Sequence, residues 1–144
     1  MVLKTYFDFW EQDRANRRKY RKSGIYGFFL KGECVYVGQS RDLHSRFFHH
    51  SENFAKVRPK KIPSNQKYIL LRPYIELIEW KVLEYCPKDQ LDDTENKWID
   101  SYNPIFNIKR RNGQVHWEGD AKDIHSFVIG EKSMDDLRQL LSNY

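Results

Sequence analysis

Tyr26 and Tyr36 stand ten residues apart in SGIYGFFLKGECVYVGQS, each beside a glycine and each inside a short run of β-favouring residues. Further on, Arg46 and His50 share a helical stripe with Leu43 and Phe47, at spacings i, i+3, i+4 and i+7. Glu95 falls on a second stripe between Leu91, Trp98 and Tyr102. Phenols, a guanidinium, an imidazole and a carboxylate are the groups that move protons and bind charge, and two of them lie where a helix ordinarily packs. Arg46 either lays its stem on the core with its head in water or pairs with an acid. Glu95 needs a cation or hydrogen-bond donors, because a carboxylate on an apolar face is costly alone; an ion pair with Arg46 or another base would satisfy it.

The elements that must hold these groups follow from pattern. IYGFFL (25–30) and CVYVG (34–38) read as strands joined through Lys31-Gly32-Glu33 into a hairpin. Alternation puts Tyr26, Phe28 and Leu30 on one face, with Cys34, Tyr36 and Gly38 on one face of the second strand. Ser40 or Asp42 is expected to cap a helix reaching about His50. IEWKVLEYC (78–86) alternates as a strand, with Ile78, Trp80, Val82 and Glu84 on one side, and Pro87 ends it. Asp89, with Asp92 three residues on, reads as the cap of a helix that continues to Tyr102 and stops at Asn103-Pro104. Ile105 to Ile108 reads as a last strand before Lys109, Arg110 and Arg111. In the tail, Gln114–Trp117 and His125–Ile129 read as strands, and Ser133 to Asp136 as a capping box opening a final helix.

A chain of 144 residues is about one domain's worth. The expected organisation is a basic arm (1–23, with Arg17, Arg18, Lys19, Arg21 and Lys22), a core (24–111), and an acidic extension (112–144) packed on the core or used for dimerisation. No apolar run is long enough for a bilayer and the N-terminal stretch is charged, so a cytoplasmic protein without membrane contact is expected. Cys34 and Cys86 have no metal-ligand spacing and are expected to be reduced and packed; His44, His49, His116 and His125 show no zinc-type spacing. Residues 53–75 hold Lys56, Arg58, Lys60, Lys61, Lys67 and Arg72 and no acid. Such a block suits a polyanion, since each neutralised phosphate releases counterions; a solvated loop is the plainer reading.

Together these residues resemble the GIY-YIG nucleases over roughly residues 24–109. Gly24-Ile25-Tyr26 reads as the first family motif and Tyr36-Val37-Gly38 as a variant of the second. Arg46 and His50 match the arginine, and the histidine one turn later, of the following helix; Glu95 matches the glutamate of a later helix, and Asn107 the asparagine after it. One departure is Gln39, where some members carry lysine.

The resemblance implies an α+β fold, a small mixed or antiparallel sheet flanked by helices, here with the arm and a ββα-like C-terminal extension. It implies hydrolysis of DNA phosphodiester bonds with one divalent cation, Mg²⁺ with Mn²⁺ as a substitute, held by Glu95. Tyr26 would be the general base or its nearest relay, Tyr36 would orient water or phosphate, and His50 would assist proton movement. Arg46 would stabilise charge on the phosphoryl oxygens, and Asn107 would fix the site's geometry. A phenol of pKa about 10 is a poor base at neutral pH, so a neighbouring cation would have to favour its phenolate. The basic run with Lys109, Arg110 and Arg111 would track the DNA backbone, and a homodimer would put one site on each strand of a duplex. A nucleic-acid-binding module that has lost cleavage is the alternative.

Overall fold

The computed structural model describes residues 19–56, 65–107, 109–111 and 113–143. Its centre is the hairpin of β1 (Gly24–Leu30) and β2 (Glu33–Ser40), turned through Lys31 and Gly32, both at positive φ. β3 (Ile78–Tyr85) pairs with the other side of β1, giving an antiparallel sheet in the order β2-β1-β3. β1 is therefore central and buried along all seven residues, which is why GIYGFFL is apolar on both faces rather than alternating.

Helices cover both faces. α1 (Leu43–Ala55) lies on one, its first turn held by the Asp42 carboxylate accepting from the backbone N–H groups of His44 and Ser45. It runs a turn past the expected end at His50, burying Leu43, Phe47, His50 and Phe54. α2 (Gln66–Leu71), continued by a 3₁₀ segment Arg72–Leu77, packs Tyr68 and Leu71 into the same cluster as Tyr26, Phe28, Leu30 and Trp80. On the other face α3 (Leu91–Tyr102) sets Leu91 against Ile25, Phe29, Cys34, Val37 and Cys86, with Trp98, Ile99 and Tyr102 beside them. Both cysteines are buried free thiols.

Two β-bulges overturn the strict alternation expected of the strands. The β1–β2 register pairs Phe28 with Tyr36 but Phe29 with Cys34, which turns Cys34 to the face away from Tyr36. The β1–β3 register pairs Tyr26 with Val82 but Ile25 with Glu84. Glu84 therefore leaves the face of Trp80 and accepts hydrogen bonds from Lys97 and from Trp98 Nε1 on α3.

Two other expectations are corrected. Asp89 does not cap α3: a 3₁₀ turn, Lys88–Gln90, precedes it and Gln90 is the N-cap, without a side-chain bond. The helix does stop at Asn103, in the left-handed conformation. Ile105 to Asn107 form no strand. Ile105 and Phe106 turn their side chains into the core, and the Phe106 N–H donates to Val35 O of edge strand β2 at 3.0 Å; Ile108 lies outside the described residues.

β4 (Lys109–Arg111), β5 (Gly113–Trp117) and β6 (Leu141–Asn143) make a second antiparallel sheet, with α4 (Ala121–Val128) and α5 (Met134–Arg138) between the last two. The extension is thus not ββα-like, and the expected strand His125–Ile129 is mostly helix. A capping box of Asp120 and Asp123 starts α4 and overrides the β-branched residues at its end. Ser133 and Asp136 form the expected capping box of α5, a shorter helix than expected. Trp117, Ile124, Phe127, Met134 and Leu137 join the core cluster of the central sheet. No helix among the described residues is long and apolar enough to cross a membrane.

Candidate active site

Tyr26 points from β1 into the layer between the sheet and α1, and is 1% exposed. Its hydroxyl makes a short hydrogen bond with His50 Nε2, and Tyr36, Phe28 and Trp80 ring it, with the Tyr36 centroid 6.2 Å away. The approach is possible because β2 carries Gly38 opposite Tyr26: a Cβ there would stand 2.3 Å from the Tyr26 hydroxyl. Gly24 is required for a related reason, since a Cβ on it would meet Glu84 O of β3 at 2.5 Å.

His50 is 3% exposed, and its second nitrogen, Nδ1, meets the Tyr68 hydroxyl at 2.5 Å. Tyr68 reaches it from α2, and so does its neighbour Lys67, whose ammonium lies 4.6 Å from the Tyr36 ring centroid and 4.5 Å from that of Tyr68. Lys67 is only 8% exposed. It therefore belongs to the tyrosine pocket, although the sequence groups it with the basic run that begins at Lys56. Tyr68 carries no signal of its own in the sequence. A six-residue helix is too short to show periodicity, so nothing local marked which way residues 66–71 face.

Arg46 is exposed at the mouth of this pocket rather than packed on the stripe of α1. Its positive charge reaches Tyr26, Tyr36, His50, Lys67, Tyr68 and Glu95. With Gln39, Ser40, Arg41, Asp42, Ser45, His49 and Leu91 it lines a cleft of about 550 Å³. Glu95, half-buried on α3, reaches the same region from the far side; its charge acts on Tyr36, and the Gln39 amide lies beside it. Gln39 Nε2 also donates to Asp92 Oδ1 at 2.7 Å, so the residue in the place of the family lysine ties β2 to the first turns of α3.

Burial governs the protonation of the pocket. It pushes the Tyr26 phenol well above 10, assisted by Tyr36, and the opposing charge of Arg46 is the smaller influence. Tyr36 also rises through burial, while the neighbouring Tyr26 hydroxyl acts the other way. His50 is held well below its ordinary value by burial first, then by Lys67, Arg46 and His49. Burial, with Arg46, lowers Lys67 to about 8. Glu95 is raised by burial, opposed by Gln39. A phenol shifted upward is no free base; the neutral imidazole bonded to it keeps one nitrogen lone pair that can take a hydroxyl proton, although burial and the nearby cations make it a weaker base than free imidazole.

Asn107 holds the second motif in shape. Its Oδ1 accepts from Val37 N–H at 2.9 Å and its Nδ2 donates to Val37 O at 2.7 Å, so one side-chain amide replaces the peptide group a neighbouring strand would offer to edge strand β2. Val37 lies between Tyr36 and Gly38 and is 1% exposed. Asn107→Ala should strand both backbone groups at about 1–3 kcal/mol each, seen as a lower urea midpoint at unchanged slope.

The remaining basic candidates are dispersed. Arg72 Nε donates to Phe54 O at the end of α1, at 3.0 Å, and Lys56 follows that helix as an exposed residue. Lys109, Arg110 and Arg111 form β4. Arg58, Lys60 and Lys61, with arm residues 1–18, lie outside the described residues.

No family model matches the chain, and no curated protein matches it. Among solved structures it is similar to the GIY-YIG N-terminal endonuclease domain of UvrC from Thermotoga maritima. A point mutant of that domain bound to its catalytic divalent cation shares 19% identity, covering 68% of this chain and 100% of that one, at a TM-score of 0.44. A second point mutant shares 17% over the same coverage at 0.42. The form bound to magnesium shares 18%, covering 67% and 100%, at 0.40.

Proposed function

We propose that this chain is a divalent-metal-dependent endonuclease that hydrolyses phosphodiester bonds in DNA. The observation that carries the reading is the buried Tyr26–His50 hydrogen bond, set beside Tyr36 under the charge of Arg46, with Glu95 across the pocket. The residue set resembles that of the GIY-YIG nucleases, and the named magnesium-bound domain is consistent with it.

The donor set suits a hard cation. Glu95 offers carboxylate oxygens beside Gln39, which lines the cleft, and among the described residues no cluster of three His, Cys, Asp or Glu is placed to hold an ion. Mg²⁺ is a cation that keeps several waters and uses one or two carboxylates plus phosphate oxygens, so Glu95 would hold it, with Mn²⁺ as a substitute. When bound, such an ion supplies Lewis-acid stabilisation to the phosphoryl and leaving oxygens.

The chain's own residues do the rest. An attacking water loses its proton to the Tyr26 hydroxyl as Tyr26 passes its own proton to His50 Nε2, so Tyr26 serves as a relay and no free phenolate is required. Arg46 at the mouth neutralises charge growing on the phosphoryl oxygens. Tyr36 orients the water or phosphate, and Asn107 fixes the strand that carries Tyr36. Lys56, Arg58, Lys60, Lys61, Arg72 and Lys109 to Arg111 would contact flanking phosphates.

Purified protein should nick supercoiled plasmid with Mg²⁺ and leave it intact with EDTA. Absence of nicking on duplex, single-stranded and branched DNA with either Mg²⁺ or Mn²⁺, while DNA is still bound, would favour a binding module that does not cleave.

A further inference from the structure

Lys67 and Tyr68 come from a short helix that carries none of the family motif residues, yet both enter the pocket built around His50. Each nitrogen of the buried His50 ring faces a phenol oxygen, Nε2 that of Tyr26 and Nδ1 that of Tyr68. A neutral imidazole has one N–H and one lone pair, so these two contacts cannot both be donations from the ring. Whichever phenol takes the ring hydrogen decides what the other can do.

We propose that Lys67 and Tyr68 preset His50 as the acceptor for the Tyr26 hydroxyl proton: Tyr68 takes the hydrogen on Nδ1, which leaves the Nε2 lone pair facing Tyr26, and the Lys67 ammonium beside them disfavours a proton already on the ring. The catalytic consequence rests on the hydrolytic reading above; the state of His50 does not.

The groups that face His50 are Tyr26 and Phe28 from β1, Tyr36 from β2, Lys67 and Tyr68 from α2, and Arg46 and His49 from its own helix. None of them is an acid, so nothing in this set stabilises a resting imidazolium. Burial and then Lys67 are the leading influences holding the ring neutral. During the reaction water gives a proton to Tyr26, Tyr26 gives its own to Nε2, and hydroxide forms the new P–O bond as the bond to the 3′-oxygen breaks. The 3′-oxygen leaves with the electron pair and is protonated from solvent, which balances the proton held on His50 until its release. His50 then carries both N–H groups, each already facing a phenol oxygen, so the transient charge is not left without acceptors. Tyr68 acts through His50 and is a positioning residue; Lys67 acts on the same ring by charge.

Long-range proton–nitrogen NMR spectra of ¹⁵N-histidine-labelled protein, without DNA or metal, test the preset state. His50 is assigned by the signal lost in His50→Asn. At pH 7 the wild type should show a protonated Nδ1 and an unprotonated Nε2. Tyr68→Phe, which keeps the ring, should abolish that preference. Lys67→Met should let His50 protonate at higher pH than in the wild type, and Lys67→Arg should restore the wild-type titration. In nicking assays Tyr68→Phe should lower kcat by at least about tenfold with KM little changed, and Lys67→Met should move the acidic limb of kcat/KM to higher pH. A hydrogen on Nε2 in the wild type, or an unchanged His50 titration in Lys67→Met, would overturn the proposal. Wild-type protein that shows the Nδ1–H form yet cuts no DNA would refute the hydrolytic reading and leave the preset histidine standing.

Discussion

Glu95→Ala should lose Mg²⁺-dependent nicking by at least about 10³-fold, the rate equivalent of several kcal/mol of Lewis-acid stabilisation. The loss should not come from unfolding. Glu95 is half-buried in the interior of α3, outside both apolar clusters, and alanine favours a helix at least as well as glutamate. Far-ultraviolet circular dichroism and the urea midpoint should therefore stay near wild type while cleavage disappears. Arg46→Ala is the companion, because Arg46 lies exposed at the pocket mouth and its removal leaves α1 packed. Its expected loss is about 10²–10³-fold, the usual effect of removing one donor aimed at developing charge. Activity within tenfold of wild type in Glu95→Ala, measured on supercoiled plasmid across a Mg²⁺ titration, would remove the cation from that carboxylate.

Trp117→Ala should cost about 3–5 kcal/mol of stability, the usual range for deleting a buried aromatic. Trp117 is 1% exposed, stands edge-on to Phe106 at 5.4 Å, and donates from Nε1 to Leu137 O at 2.6 Å. Gly119 lies so close that a Cβ on it would overlap the indole. A domain of this size should lose roughly 10 °C in Tm for that cost. The site should suffer as well, because Trp117 O accepts from Gln66 Nε2 at the start of α2, the helix that brings in Lys67 and Tyr68. Differential scanning calorimetry reads the first effect and the His50 NMR signals the second. A Tm unchanged within 3 °C would mean that residues 113–143 are an appendage rather than part of the fold.

Local signals were enough for several elements. The β1–β2 hairpin, the Asp42 cap, the stop at Asn103-Pro104 and the Ser133 capping box each depend on residues within about four positions of one another, and each was legible in the chain. Periodicity also put Tyr26, Arg46, His50 and Glu95 on elements that fold toward one region. Where it erred, the cause was non-local. A bulge turned Cys34 and another turned Glu84 to opposite faces from those expected, because strand register is set by pairing across the sheet and not by counting along one strand. Asn107 supplied with one side chain what a strand was expected to supply with its backbone. Arg46 left the packing stripe because α1 turns Leu43, Phe47, His50 and Phe54 inward and keeps the guanidinium at the rim.

Residue order by itself determined the hairpin, the helix termini and the chemical groups available for a site. Tertiary packing decided that Lys67 and Tyr68 complete that site, since their only prior mark was a run of positive charge, and charge does not say which side of a short helix faces in. The physical reason is burial. It takes seating between the sheet and two helices to neutralise the imidazole of His50, keep Tyr26 protonated and bring Lys67 to about 8, and that enclosure is built from segments distant in the chain.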